Sequence, residues 1–262
     1  MKPTVWMNQL SWIDYQQRLS NEQPPILLPV GALEQHGPHL PLGTDGLLAS
    51  AVSADAAALV DGLVAPTLSY GYKSQPKCGG GQHFCGTTSV DAATLVGQVR
   101  DAVREFARHG ATKLVIVNGH YENQWFLIEG IDLGLRDAKA ADPTNALQVM
   151  RLEYWDFMTP DTLAHVFPEG FPGFALEHAA VLETSMMLYY HANLVRLNLL
   201  PDDGPADFPP YDIYPPRTDW VPPSGVLSSA RGSDATKGRL LAEEVAQRMA
   251  SAISGGFTRP TA

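Results

Sequence analysis

Apolar positions fall into short unbroken runs separated by stretches of helical spacing. Residues 26–30 (Ile-Leu-Leu-Pro-Val) and 114–117 (Leu-Val-Ile-Val) are uninterrupted, as expected for strands buried on both faces. Residues 62–65 and 146–152 read as two further strands, the first stopped by Pro66. Helical spacing is clearest over 91–108, where Leu95, Val99, Val103 and Phe106 share a face. Ser89 and Asp91 are candidate caps at its start, and Gly110 ends it. Helices are also expected over 12–19, 46–59, 124–139, from about 176, and over 235–253, with Gly255 and Gly256 marking a frayed tail. This alternation predicts an α/β fold, a three-layer α/β/α sandwich with a mostly parallel central sheet, in a single domain over 1–262.

Two stretches have no period. Residues 69–89 are glycine-rich, with Gly79, Gly80 and Gly81 consecutive; a long loop between core elements is usually functional. Residues 201–224 are rich in Pro and Asp and read as an extended surface arm. The formal charge of −10 argues against nucleic acid or an anionic membrane as partner, since either would want clustered Lys and Arg. No apolar run reaches membrane-spanning length, and the N-terminal residues show no export pattern. Cys78 and Cys85 make no disulfide framework, so reduced thiols in a cytoplasm are expected.

The candidate chemistry sits just after the two clearest strands. Residues 30–45 read V-G-A-L-E-Q-H-G-P-H-L-P-L-G-T-D and carry Glu34, His36, His39 and Asp45. Glu34 and His36, two apart, face one pocket if the extended geometry continues. Taken alone, this loop could equally be solvated, with Asp45 as a helix N-cap. A second loop of the same kind, N-G-H-Y-E-N, follows residues 114–117 and carries His120 and Glu122. In open α/β sheets ligands bind at the carboxyl ends of the strands, where both loops would lie. Imidazoles and carboxylates suit zinc, manganese and similar divalent ions. Glu34, His36, Asp45, His120 and Glu122 are too many for one catalytic metal, but they suit two ions sharing a bridging carboxylate.

These loops belong to a longer series of motifs: G-A-L-E-Q-H-G, G-T-D, G-Y-K-S-Q, G-G-G-x-H-F-x-G-T-T-S, R-H-G-A, N-G-H-Y-E-N, E-G-I-D-L, Y-W-D-F, P-E-G-F and L-E-H. In combination they resemble the creatininase (creatinine amidohydrolase) family over nearly the whole chain. The resemblance implies metal-dependent hydrolysis of a cyclic amide C–N bond, creatinine to creatine or a related cyclic amide, at two divalent ions, zinc and/or manganese. It implies a homohexamer with a small-molecule substrate. It makes His178, beside Glu177, the proton shuttle, a role for which imidazole is suited because it titrates near ~6.5. It places Tyr121 against substrate, which requires the second loop to turn there. Trp155 and Phe174 are expected pocket walls. His39 falls outside the implied ligand set and is expected behind it, while His83 is a candidate for the entrance. His109, His165 and His191 have no convergent partners and are expected at the surface or as caps.

The chain departs from the family's creatinine-cleaving pattern at Phe174 and Ala175, where that pattern has Trp then Asp. It also has Cys78 in place of Ser and Ala179 in place of Gly. Ala175 cannot accept hydrogen bonds from creatinine's amino-imine nitrogens, and a buried donor without its partner costs ~1–3 kcal/mol. Either creatinine is bound through other contacts, or the pocket takes a cyclic imide, hydantoin or lactam. A deformylase or peptide-trimming relative, and a metal-binding protein that has lost catalysis, are the remaining alternatives.

Overall fold

A computed structural model describes residues 4–203 and 205–257. Its sheet has four parallel strands in the order β2-β1-β3-β4, namely β1 Ile26–Val30, β2 Leu63–Val64, β3 Lys113–Asn118 and β4 Gln148–Glu153. Around it run α1 Trp12–Asn21, α2 Thr44–Leu59, α3 Pro76–Gly79, α4 Ala92–Arg108, α5 Gln124–Ala141, α6 Pro160–Val166, α7 Val181–His191 and α8 Ala235–Gly256.

Strand alternation sorts the core into two layers. Leu27, Val115 and Val117 point to one face, where Val52 of α2, Met186 of α7 and Val245 of α8 cover them. Ile26, Leu28, Leu114 and Ile116 point to the other, under Leu95 and Val99 of α4 and Leu127 of α5. Each such side chain, fully withdrawn from water, contributes about 1.5–3 kcal/mol of hydrophobic free energy. The α/β/α sandwich is therefore the arrangement observed.

Register sets the site. Val30 aligns with Asn118, and Asn118 with Glu153, so the loops after β1, β3 and β4 leave the sheet side by side. The glycine-rich segment joins them: Thr88 bridges to Leu33, and Thr87 Oγ1 accepts from the Gln35 amide at 3.0 Å.

Several expected boundaries differ. α3 interrupts the segment expected to lack helix. The helix expected near residue 176 begins at Val181, because residues 174–176 form a separate 3-10 turn and Ala179 takes a left-handed φ of 56°. His178 therefore sits in a buried loop ahead of α7 rather than in its first turn. Gly255 and Gly256 close α8 rather than fraying from it. The described part of the 201–224 segment contains no strand, only a 3-10 turn at Thr218–Trp220.

Candidate metal centre and hydrolytic site

Asp45 stands in the first turn of α2, and Gly31 lets the β1 loop meet that turn backbone to backbone: a side chain there would come within 2.4 Å of the Gly46 nitrogen. Asp45 thereby lies between the two imidazoles. Its Oδ1 is 2.9 Å from His36 Nε2, and its Oδ2 is 3.0 Å from His120 Nδ1. Glu34 Oε2 approaches the same His120 nitrogen at 3.2 Å. Glu34, His36, Asp45 and His120 are all withdrawn from solvent.

Backbone carbonyls fix what the rings present. A carbonyl can only accept, so His36 Nδ1–H donates to Glu34 O at 3.1 Å. His120 Nε2–H donates likewise to Tyr72 O at 3.0 Å. In the neutral rings, His36 Nε2 and His120 Nδ1 then carry lone pairs, and both face carboxylate oxygens. His36 Nε2, Asp45 Oδ2 and Glu34 Oε1 have no aligned hydrogen-bond partner although they are buried. Short approach without hydrogen-bond alignment, between groups that are all electron-pair donors, is the geometry a cation satisfies.

The electrostatics agree. Burial alone would lower the His36 pKa, but Asp45 and Glu183 raise it well above its ordinary value. Burial also opposes the charged form of His120, and Glu122 and Glu34 raise it likewise. Burial pushes Glu34 up to about 7 against the pull of His120. Burial would raise Asp45 too, but His36 and His120 hold it well below the usual carboxylate range. The surrounding carboxylates thus favour positive charge at both imidazoles.

Among the described residues, three groups have donor atoms within 4.8 Å of one another: Glu34, His120 and Glu122; His36, Asp45 and Glu183; and Glu34, His36 and His178. The five expected residues are thus brought together, with Glu122 Oε2 3.3 Å from His120 Nε2 and Glu122 Oε1 accepting from the Gln75 amide at 2.6 Å. Glu183 joins them unexpectedly. Its position in the apolar stretch V-L-E-T-S-M-M offered no spacing that pointed to the two loops.

An open cavity borders this cluster. It is lined by Cys78, Tyr121, Trp155, Phe174, Glu177 and His178 among others; Ala175 is not among its lining residues. The second loop does turn at Tyr121, through a 3-10 turn over Tyr121–Asn123, and the Tyr121 ring stacks on Trp155 with centroids 6.1 Å apart. Phe174 packs edge-on against Phe171. Tyr154, the first residue of the Y-W-D-F motif, also lines the cavity.

Both amide hydrogens of the Gln35 side chain are used by Gly79 O and Gly225 O, at 3.1 and 2.9 Å. His178 Nε2–H then donates to Gln35 O at 2.9 Å, which leaves His178 Nδ1 with its lone pair. Burial, reinforced by the charge of His36, pushes His178 well below its ordinary pKa. Burial raises the Glu177 carboxyl well above its usual range. Glu177 Oε2 accepts from the Leu182 amide at 2.9 Å, and Oε1 has no partner. Gln35 had not been singled out, because an amide carries no chemistry of its own.

Of the other histidines, His39 is buried with Nε2 3.0 Å from Thr184 Oγ1, behind the cluster. His83 is exposed on the glycine-rich segment and does not line the cavity. His109 contacts Tyr15 far from the site.

The creatininase family model, creatinine amidohydrolase, matches residues 8–253. The chain belongs to the creatininase family. Creatinine amidohydrolase of Pseudomonas putida is 47% identical over 258 residues, 98% of this chain and 99% of that protein. Solved creatininase structures superpose with TM-scores of 0.94–0.95 at 46% identity, over 98% of this chain and 100% of theirs; they include a glutamate-to-glutamine mutant, as a Zn–Zn form and in complex with creatine, and a manganese form. This creatininase-family chain is accordingly a hydrolase acting on amides.

Proposed function

We propose that this chain hydrolyses a cyclic amide C–N bond at a dinuclear metal centre, opening creatinine to creatine or a closely related ring. The observation that carries the reading is Asp45, whose two carboxylate oxygens face the lone-pair nitrogens of His36 and His120. A carboxylate so placed would serve two ions at once. Glu34, His36, Asp45, His120 and Glu122 would hold two divalent ions, zinc and/or manganese, as in the zinc and manganese forms of the solved creatininases. Such ions lower the pKa of water from ~15.7 to about 7 and polarise a carbonyl.

The protein's own groups supply the proton traffic. His178 is neutral, with Nδ1 free and Nε2–H anchored on Gln35 O, so it can take a proton at Nδ1 and return it to the leaving nitrogen. Glu177, whose carboxyl burial pushes well above its usual range, stands at the same wall with Oε1 unpartnered and able to meet a polar substrate atom. Tyr121, Trp155 and Phe174 supply flat apolar surface against a small ring, with the Cys78 thiol at the margin.

A second reading of the substrate is a cyclic imide, hydantoin or lactam. It is favoured by Phe174, which lines the cavity and offers no side-chain acceptor to a multi-donor nitrogen group. Exposed Trp12, Trp125 and Tyr214 fit burial between subunits, consistent with a homohexamer. The free cysteines fit a cytoplasmic setting.

Turnover of creatinine beside a panel of cyclic imides, hydantoins and lactams, with metal-stripped and reloaded protein, tests both readings. Hydrolysis of one of these rings that disappears on stripping and returns on loading is expected. Efficient creatinine turnover would defeat the altered-specificity reading, and full activity after complete chelation would defeat the metal mechanism.

A further inference from the structure

We propose that the ring this chain opens carries a flat, uncharged apolar substituent, which runs past Cys78 into a second cavity under the segment over 209–220. The proposal rests on the cyclic-amide reading and names the substrate class within it. Two cavities meet at α3. The one beside the ligand cluster is the smaller, about 40 Å³ against about 240 Å³ for the second. Cys78, only partly buried, lines both. The partition is thin there, since α3 has only four residues.

The second cavity is fixed by its own contacts. Lys77 Nζ, on α3, donates to Pro209 O at 2.8 Å and Tyr211 O at 2.7 Å, and meets the Asp212 carboxylate at 3.0 Å. Farther along the segment, Arg217 is clasped by Asp219, and its guanidinium carbon lies 5.7 Å from the centre of the Trp220 ring. Tyr211 meets the same ring edge-on. A cavity whose walls are already tied needs little ordering when it is filled.

The same contacts decide what fits. Both cations bordering the cavity have carboxylate partners, so an anion entering would compete with Asp212 or Asp219. A charged group would give up its hydration and gain no unpaired partner. What remains is the apolar surface of Pro76, Ile213, Pro216 and Trp220, of the kind that seats small ligands. A planar hydrocarbon group withdraws a large area from water there and needs no hydrogen bond. The thiol at the junction behaves as a small hydrophobe and places no charge in its path.

The test uses the metal-loaded enzyme and pairs of rings: creatinine, hydantoin, succinimide and 2-pyrrolidinone, each with and without a benzyl group on the carbon next to the carbonyl. For whichever ring is opened, kcat/KM should be at least about tenfold higher with the benzyl group, mainly through KM, as expected for burying an aromatic group remote from the chemistry. In Trp220→Ala and in Ile213→Asp that ratio should fall to about one, with metal content by elemental analysis as in wild type. Should one variant fail to fold by circular dichroism, the other decides, because neither residue lines the cavity beside the ligands. A wild-type ratio of one or below would overturn the proposal and leave the cyclic-amide reading standing. A raised ratio that survives substitution would place the substituent elsewhere and overturn the proposal equally. Wild type that opens none of the rings, substituted or not, would overturn the cyclic-amide reading and the proposal with it.

Discussion

Gly79 and Gly97 should respond to alanine in opposite directions. Gly79 ends α3 beneath Glu34: a Cβ on it would lie 1.9 Å from Glu34 Oε1 and 2.5 Å from Ser74 Oγ, where ordinary contact begins near 3.4 Å. Something must yield by about 1.5 Å, the difference between 3.4 and 1.9 Å. Glu34 has little freedom to yield, being buried with Oε2 3.2 Å from His120. Metal–ligand distances tolerate only about ±0.2 Å, so a shift of that size removes Glu34 from any ion bound beside His120. Overpacking costs about 1–3 kcal/mol, and at about 2–4 °C per kcal/mol the metal-free Tm should fall by roughly 2 to 12 °C. Gly97 lies inside α4 with nothing within 4 Å of its notional Cβ. Alanine there should stabilise by about 0.5–1 kcal/mol through helix propensity alone. Scanning calorimetry of the metal-free proteins, with elemental analysis after zinc loading, measures both effects. Gly79→Ala should lose at least one ion per chain, whereas Gly97→Ala should keep all and melt higher. A Gly79→Ala protein with full metal content would show that Glu34 is not confined as described.

Two further outcomes follow from the buried histidines. His178→Ala should retain its metals while kcat falls about 10²–10⁴-fold, the usual contribution of a positioned proton shuttle; undiminished kcat would remove His178 from the mechanism. His39 is held down to about 4, first by burial and then by the charge of His36, opposed by an Ala179 backbone hydrogen bond. The unfolded chain binds this proton below about 6.5, so the contribution of His39 is complete above that pH and is lost as pH falls toward 4. Urea unfolding of the metal-free protein should lose on the order of 2 kcal/mol on that account, and His39→Gln should lose less. Equal losses in both proteins would show that His39 does not titrate in this way.

The sequence was most legible where burial is uniform or the period long. β1 and residues Leu114–Val117 of β3 are unbroken apolar runs because helices cover both faces of the sheet, and α4 presents four core positions at helical spacing. The two ligand loops were visible for the same reason, since each follows one of those strands. Short elements were not. α3 has four residues, less than the period needed to reveal it, and β2 has two. The start of α7 was misplaced because L-E-H-A-A-V-L-E has ordinary helix formers throughout. Tertiary demand overrides them: Glu177 and Glu183 accept from the Leu182 and Ala179 amides, and the chain between them bends through a left-handed residue. Glu183 and Gln35 were unread for a related reason, because each acquires its role only from a partner distant in sequence.

The positions of the supporting contacts also explain how one scaffold can keep its reaction while changing its ring. The donors that converge on Asp45 are locked by main-chain carbonyls, by the Gly31–Gly46 approach and by Gly79, so a change at any of them disturbs several others. Phe174 is tied differently. It lies in a 3-10 turn introduced by Gly173 at φ 94°, is only partly buried, and touches Phe171 through ring edges rather than hydrogen bonds. Replacing it alters the cavity wall without unpairing a buried polar group, and such a change costs far less than breaking a satisfied network. Phe174 can therefore change with little disturbance to Glu34, His36, Asp45 and His120. On the proposed reading it is this wall, rather than the residues around Asp45, that would separate creatinine from its imide, hydantoin and lactam counterparts.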